Sequence, residues 1–151
     1  MFPEDERIVS IVREVLLKKG WIDLPSHGTS MYPLIKEGDI CRFSSCNPSE
    51  LKKRDVILFS TPSNSFVAHR LIQMDNTRVI CKGDGNLGFD PPIEQTHILG
   101  KLMYIKRNDK NIHLDNFSLK VWGHFVQSVP VVSTVIRLYL KHKTAARFGV
   151  M

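Results

Sequence analysis

The sequence predicts a mostly β fold, either a β-barrel or a set of packed antiparallel sheets, with a helix at each end of the chain. Short runs of β-branched and aromatic residues, separated by Gly, Pro, Asn and Asp, occupy the stretch from residue 20 to residue 111. Apolar residues recur at helical spacing on both sides of that stretch. The 151 residues suffice for one domain, since a chain of this size buries roughly two-thirds of its unfolded surface.

The N-terminal helix is predicted over residues 4–19. Pro3 precedes this segment and Gly20 follows it, and both residues are favoured at helix boundaries. Acidic residues fall in its first turn and lysines in its last, where each sign of charge interacts favourably with the helix dipole. The apolar positions recur at helical spacing, which predicts an amphipathic helix that packs on the domain: Ile8, Ile11, Val12, Val15 and Leu16.

The region after this helix is predicted to contain six strands. Their bounds are 39–43, 55–60, 66–74, 77–82, 97–106 and 111–115. The stretch between the first two strands, residues 44–55, is predicted to be a loop and not a linker between domains. Many short strands joined by irregular loops are typical of a sheet-rich domain.

A second helical region is predicted over residues 117–147, with an apolar stripe in which Pro130 should kink or divide the helix. Basic residues follow the stripe and leave two interpretations: peripheral contact with an anionic membrane surface, or a helix that closes one face of the β domain. We therefore predict a single domain over residues 1–116 and a helical extension over residues 117–151. The stripe comprises Trp122, Phe125, Val129, Val132, Ile136 and Tyr139.

Composition narrows the class of protein. The chain has 21 Lys and Arg against 15 Asp and Glu, a formal net charge of +6. Few aromatic residues interleave with the basic clusters, so a solvated basic face is favoured over nucleic-acid binding. Cys41, Cys46 and Cys81 form no Cys-x-x-Cys pair, which predicts reduced thiols and neither disulfides nor a zinc site. We expect no metal and no cofactor.

The start and the hydropathy of the chain bear on its location. The first residues, MFPEDERIVS, are acidic, unlike the basic start of a secretory signal. No uncharged apolar run reaches the roughly 18 residues that a membrane-spanning helix requires. We therefore predict a soluble cytoplasmic protein, or one that contacts a membrane only peripherally.

The stretch GTSMYPLIKEGD, residues 28–39, contains a hydroxyl, Ser30, that is either a nucleophile or part of a turn. A serine nucleophile needs a base within hydrogen-bond reach. Of the six histidines, His69 is the strongest candidate because it lies in an apolar strand, FVAHRLIQ, whose alternation places His69 and Arg70 on opposite faces. The alternative for His69 is a structural histidine that is hydrogen-bonded to the backbone.

The Gly-rich stretch CKGDGNLGFDPP, residues 81–92, supplies two carboxylates, Asp84 and Asp90. Either one could accept the Nδ1 hydrogen of His69 and leave Nε2 free to take the serine proton. Either one could instead cap a turn, as Asp often does in Gly-rich loops.

Together these segments resemble signal peptidase I, and in particular the Ser/His form of that family, in which histidine replaces the usual lysine base. The matching blocks occur in the family's order between residues 24 and 105: GTSMYP, GDI, RDVILF, VAHRLI, CKGDGN with Asp90 beyond it, and ILGKL. GTSMYP alone is also similar to the self-cleaving repressor peptidases.

The resemblance implies a serine endopeptidase that cleaves a leader or signal-like peptide through an acyl-enzyme, with a peptide or protein substrate as its partner. Ser30 matches the nucleophile, His69 the general base and Asp90 the acidic member of the triad. Asp84 matches a second acidic position of the same loop. The turn around the nucleophile, where substrate binds in the family, includes the matching residues Met31 and Pro33.

Two features depart from the family pattern. The family usually has a serine two residues before the nucleophile, whose side chain helps to hold the oxyanion, and this chain has Gly28 there. Loss of one such donor can lower the rate by about 10²- to 10³-fold unless Thr29 or a backbone amide, such as that of Ser30, replaces it. The membrane anchor of the family has no counterpart in the sequence, which affects the expected substrate more than the expected chemistry.

Two other functions stand as alternatives. One is an inactive relative that binds peptides, an interpretation that Gly28 and the missing anchor suggest. The other is a self-cleaving, repressor-like regulatory domain. Only 27 residues precede Gly28, too few for a helix-turn-helix and a cleavable linker, and the chain contains no Ala-Gly dipeptide.

Overall fold

A computed structural model describes residues 6–148 of the chain. Its helices are α1 (Glu6–Lys19), α2 (Phe117–Ser128) and α3 (Val131–Phe148). Its strands are β1 (Trp21–Pro25), β2 (Ile40–Ser44), β3 (Val56–Ser60), β4 (Phe66–Met74), β5 (Val79–Lys82), β6 (Ile98–Arg107) and β7 (Lys110–His113). Single 3₁₀ turns occur at Pro48–Glu50 and Gln95–His97.

The strands form one antiparallel sheet in the order β1-β2-β6-β3-β4-β5, and β7 pairs with the end of β6. Strand β6 pairs with β2 and also with β3, through residues 98–101. The predicted class, a mostly antiparallel β protein with terminal helices, is confirmed. The sheet is open, so the predicted alternative of a closed β-barrel is wrong.

Strand β3 is buried along its whole length and separates two hydrophobic clusters. Val56 and Leu58 pack in the first cluster, together with Val12 and Leu16 of α1. Ile57 and its alternate neighbour Phe59 pack in the second cluster. Burial of each such side chain contributes roughly 1.5–3 kcal/mol, so β3 and its partner β4 form a stable support for a site.

The sequence locates six of the seven described strands to within two residues at each end, but it misses β1. Strand β1 pairs with β2 from Trp21 to Pro25 and has no second neighbour in the described part of the sheet. An edge strand tolerates proline because one of its sides needs no donor. The alternation of apolar and polar residues in IDL, within this strand, was the sequence signal that could have predicted β1. Strand β5 starts later than predicted because Asp75 Oδ1 accepts the backbone N–H groups of Thr77 and Arg78 in a tight turn.

The C-terminal helical region is divided in two, as predicted from Pro130, which lies between α2 and α3. Asn116 caps α2 by accepting the Ser118 N–H. The first residues of the predicted N-terminal helix, 4 and 5, lie outside the described residues. Among the helices of residues 6–148, none has the length and apolar character needed to cross a membrane.

Candidate active site

Ser30 lies on a tight turn that follows β1. The Tyr32 N–H donates to the Thr29 carbonyl at 3.1 Å, and the Ile35 N–H donates to the Met31 carbonyl at 2.9 Å. Gly28, at the entrance of this turn, has a φ of +81°. A side chain at Gly28 would meet no neighbour within 4 Å, but this backbone conformation is strained for any residue other than glycine. The turn geometry therefore accounts for glycine at the position where the signal peptidase pattern has serine.

His69 connects Ser30 to Asp90. The distance from His69 Nε2 to Ser30 Oγ is 2.9 Å, and the distance from His69 Nδ1 to Asp90 Oδ2 is 2.6 Å. An ionised carboxylate can only accept, so Nδ1 carries a hydrogen, and in the neutral imidazole Nε2 then accepts from the Ser30 hydroxyl. The His69 side chain is 9% exposed and that of Asp90 is 16% exposed, so both are largely shielded from water. The sequence left Asp84 and Asp90 open as partners, and the structure places Asp90 next to His69.

Strand β4 fixes the imidazole by its register. His69 lies opposite Ile57 of β3, and its ring contacts the Phe59 ring edge-on at 6.3 Å between centroids. Directly opposed residues of an antiparallel pair point to the same face. Because Ile57 and Phe59 are almost fully buried, the ring lies against a packed surface, which restricts its orientation.

Asp84 forms a separate, buried ion pair with Arg70. The Arg70 Nε and Nη2 atoms donate to the two carboxylate oxygens at 2.8 and 2.7 Å. Trp122 Nε1 of α2 donates to Asp84 Oδ2 at 3.0 Å, and Arg70 Nη1 donates to the Arg54 carbonyl at 3.0 Å. His69 and Arg70 thus point to different surroundings, as strand alternation predicts. The Asp84 carboxylate serves the packing of the loop and has no contact with His69 within the hydrogen-bond network.

The loop that carries both carboxylates packs directly on the turn of Ser30. The Gly85 N–H donates to the Ser30 carbonyl at 2.8 Å, and the Asp84 N–H points at Met31 Sδ at 3.4 Å. A Cβ atom on Gly83 would lie 2.6 Å from the Ser30 carbonyl oxygen, so only glycine fits without a shift. The Asp90 N–H donates to the Cys81 carbonyl at 2.8 Å and fixes the other end of the loop.

Helix α3 also contacts this loop, through a residue that the sequence did not single out. The Ser133 hydroxyl is fully buried and donates to the Asp84 carbonyl at 2.9 Å. Lys82 Nζ donates to Ser133 Oγ at 3.2 Å, which directs this lysine toward α3. Only tertiary packing reveals Ser133, because nothing in its local sequence distinguishes it from other helical serines. For Trp122 the apolar stripe predicted packing, but not the hydrogen bond of the indole.

Donors for an oxyanion are available from the backbone. Within the described part of the chain the Ser30 N–H donates to no other group. Thr29 is exposed and lines a groove beside α3, and it is not among the residues that line the cleft at Ser30. Of the two substitutes that the sequence suggests for the missing serine side chain, the geometry favours the Ser30 amide.

A cleft of about 540 Å³ opens at Ser30 and His69. Its lining also includes the polar side chains of Ser26 and His27. Of the two residues expected to bind substrate, Met31 lines the cleft and Pro33 does not. Pro33 follows a cis peptide bond within the turn. The apolar lining includes Leu24, Ile35, Phe43, Leu58, Phe66 and Ala68.

One edge of β4 faces this cleft without a strand beside it. Residues 66–70 of β4 pair with β3, whereas β5 pairs only with residues 70–74. The N–H and C=O groups of Leu71 point to the β3 side, so those of Ala68, three positions earlier, point to the other side. An extended peptide could therefore add to the sheet along Ala68.

The cysteines of the described chain are free. Burial raises the pKa of the Cys81 thiol to about 12, with a further contribution from the charge of Asp90. Burial likewise raises the pKa of Cys41 to about 12. Both thiols stay protonated near neutral pH and are poor nucleophiles. Among residues 6–148, no three His, Cys, Asp or Glu side chains cluster as metal ligands.

Compared with known proteins, the chain matches no family model, no curated protein and no solved structure.

Proposed function

We propose that this protein is a serine endopeptidase in which Ser30, His69 and Asp90 act as a catalytic triad. The observation that supports it is the continuous chain of hydrogen bonds from Ser30 Oγ through the imidazole to Asp90 Oδ2, at 2.9 and 2.6 Å. A serine hydroxyl held by a histidine, with the histidine held by a carboxylate, is the arrangement that activates serine for attack on a carbonyl carbon.

In this mechanism Ser30 Oγ attacks the scissile carbonyl while His69 Nε2 takes its proton. The positive charge that develops on the imidazole is stabilised by Asp90, which stays ionised. The Ser30 N–H donates to the oxyanion of the tetrahedral intermediate. His69 then gives its proton to the leaving amine, an acyl-enzyme forms, and a water molecule activated by His69 releases the acyl group.

The substrate is an extended peptide that pairs with the free edge of β4 along Ala68. Such pairing supplies backbone hydrogen bonds of low sequence selectivity, and the pockets for alternate side chains supply the specificity. Because the cleft is lined largely by apolar side chains, uncharged side chains are preferred next to the scissile bond. The resemblance to signal peptidase I adds the expectation of small residues there and of a leader or signal-like substrate.

We also propose that the protein is located in a reducing compartment, such as the cytoplasm. Cys41, Cys46 and Cys81 are free in the structure, and structural disulfides are rare in reducing compartments. Two alternatives carry less support. An inactive peptide binder does not require the Ser30–His69 contact, and the chain contains no Ala-Gly dipeptide at which a self-cleaving repressor would cut itself.

The test is cleavage of a peptide library by the purified protein, with the products sequenced. Wild-type protein should cleave at a consistent site, and Ser30→Ala should abolish turnover. Ser49→Ala, at an exposed position that does not line the cleft, should leave turnover unchanged and serves as the matched control. Binding of peptides without cleavage would favour the inactive relative, and a falling intact mass without added peptide would favour self-cleavage.

A further inference from the structure

Helix α3 presents an apolar face to solvent. Val131, Val135 and Leu138 are 64, 58 and 54% exposed. Positions four and three residues apart share one face of a helix, so these side chains form a stripe. The opposite face holds the buried residues Ser133 and Ile136, which pack on the loop of Asp84 and on the domain. One side of α3 is thus packed on the domain, and the other side exposes apolar side chains to solvent.

The charge around this stripe has a single sign. Between Asn116 and Phe148 the sequence contains no Asp or Glu. It contains five Lys and Arg there: Lys120, Arg137, Lys141, Lys143 and Arg147. On α3, Arg137 and Lys141 border the stripe on one side and Lys143 borders it on the other, at 100° per residue. All three are exposed.

We propose that α3 lies in the plane of an anionic lipid surface, with Val131, Val135 and Leu138 inserted among the acyl chains. Exposed apolar side chains flanked by cations are typical of interfacial helices, whose lysines reach back to the headgroups. Each cation near such a surface adds a favourable electrostatic contribution. In this proposal the helix lies on the lipid surface and does not cross the bilayer, because four basic residues occur along it: Arg137, Lys141, Lys143 and Arg147.

A second copy of the chain is a poorer occupant of this face. A two-fold contact brings together the same surface patch of both copies. The cations of two α3 helices would then lie close together, and the helical region contains no acidic residue to compensate them. Like charges brought together in an interface oppose association.

The stripe also lies beside the turn of the nucleophile. Tyr139 of α3 stacks on Tyr32 at 6.0 Å between ring centroids. The groove at Thr29 is bordered by Leu87, Leu138 and Lys141, and Leu87 is itself 56% exposed. Lipid binding would therefore bring the Ser30 cleft next to the surface. Only this consequence, that peptides held at a membrane are the substrates, rests on the proposed function.

The experiment is flotation of the full chain with phosphatidylcholine vesicles that contain or lack phosphatidylglycerol. We expect binding to the anionic vesicles and at least about tenfold weaker binding to the neutral ones. Lys141→Glu with Lys143→Glu should weaken anionic binding by about tenfold or more. The matched control is Lys52→Glu with Lys53→Glu, which changes the net charge equally on another exposed loop and should retain binding.

A second pair of variants tests the apolar contribution. Leu138→Asp should also weaken binding by about tenfold, whereas Leu17→Asp, at an exposed leucine of α1, should not. Ser30→Ala should float like the wild-type protein, so loss of the peptidase proposal would leave this one standing. Absence of flotation with anionic vesicles, or equal flotation of the α3 variants and their controls, would overturn it. So would a dimer without lipid that Leu138→Asp dissociates.

Discussion

His69 and Arg70 are neighbours on β4, and each binds a carboxylate of the same Gly-rich loop, but the two pairs lie in different environments. His69 binds Asp90 through one ring nitrogen and keeps the other for Ser30, at the wall of an open cleft. Arg70 binds Asp84 with two parallel hydrogen bonds, at a site where the side chains are 6% and 1% exposed.

In the proposed enzyme, this difference lets one loop serve two roles: Asp84 holds the loop in place, and Asp90 orients the base. The Arg70–Asp84 pair has no titratable ring, and the indole of Trp122 covers its carboxylate. It can hold the loop but cannot transfer a proton to a substrate. The His69–Asp90 pair has a nitrogen that faces the hydroxyl of Ser30, so in the proposed mechanism the same kind of contact becomes part of a reaction path.

Among variants that keep Ser30 and His69, the largest expected effect on activity is that of Asp90→Asn. An amide can donate to Nδ1 and so favours the tautomer whose Nε2 carries the hydrogen and cannot accept from Ser30. In comparable triads this change lowers kcat by about 10⁴-fold with little change in structure. Steady-state cleavage of the preferred peptide measures it, with the melting temperature as the control. A variant that retains wild-type kcat would remove Asp90 from the triad.

The next effect concerns the two buried thiols, Cys41 and Cys81. Because burial raises the pKa of Cys81 and Cys41 to about 12, the thiolate fraction at pH 8 is very small. Reaction with a disulfide reagent at that pH should be about 10³-fold slower than for a free thiol. The half-buried Cys46 should react first. Reaction of all three thiols at one rate in the native protein would show that Cys41 and Cys81 are not shielded from the reagent.

The third prediction concerns the structural pair. Asp84→Asn places amide hydrogens against the donors of Arg70 and Trp122 and leaves the guanidinium uncompensated. Breaking a buried pair in this way destabilises a protein by about 3–5 kcal/mol. Urea unfolding measures the change, and Asp23→Asn, which breaks the more exposed pair with Arg42, is the matched control and should cost much less. Equal losses in the two variants would contradict the contrast.

The smallest expected effect is on the contact between the loop and the nucleophile's turn. Gly83→Ala places a methyl group 2.6 Å from the Ser30 carbonyl oxygen and must shift one of the two segments. A displacement of this order can lower activity by about 10- to 100-fold. Gly88→Ala, in the same loop but with no atom within 4 Å of the added methyl group, should behave like the wild-type protein. Similar activities for the two alanine variants would argue against direct positioning.

The sequence predicts the strands and the division of the C-terminal region well, because period-two alternation and Pro130 are local signals. It predicts less well what depends on contacts between distant segments. The local pattern did not decide the partner of His69, because Asp84 and Asp90 lie in one loop and differ only in which side of β4 they reach; only the family resemblance implied Asp90. Ser133 and the indole of Trp122 lie 49 and 38 residues from the carboxylate loop, so no local pattern indicates their hydrogen bonds.

The most direct test of the central claim is the reaction of the native protein with a serine-directed fluorophosphonate, followed by mass mapping of the adduct. The reagent needs a serine that a base activates, and it does not depend on knowledge of the substrate. We expect one adduct, on Ser30, that is lost in His69→Ala and retained in His124→Ala, which removes an exposed histidine of α2. No adduct on Ser30, or an equal adduct in His69→Ala, would contradict the account.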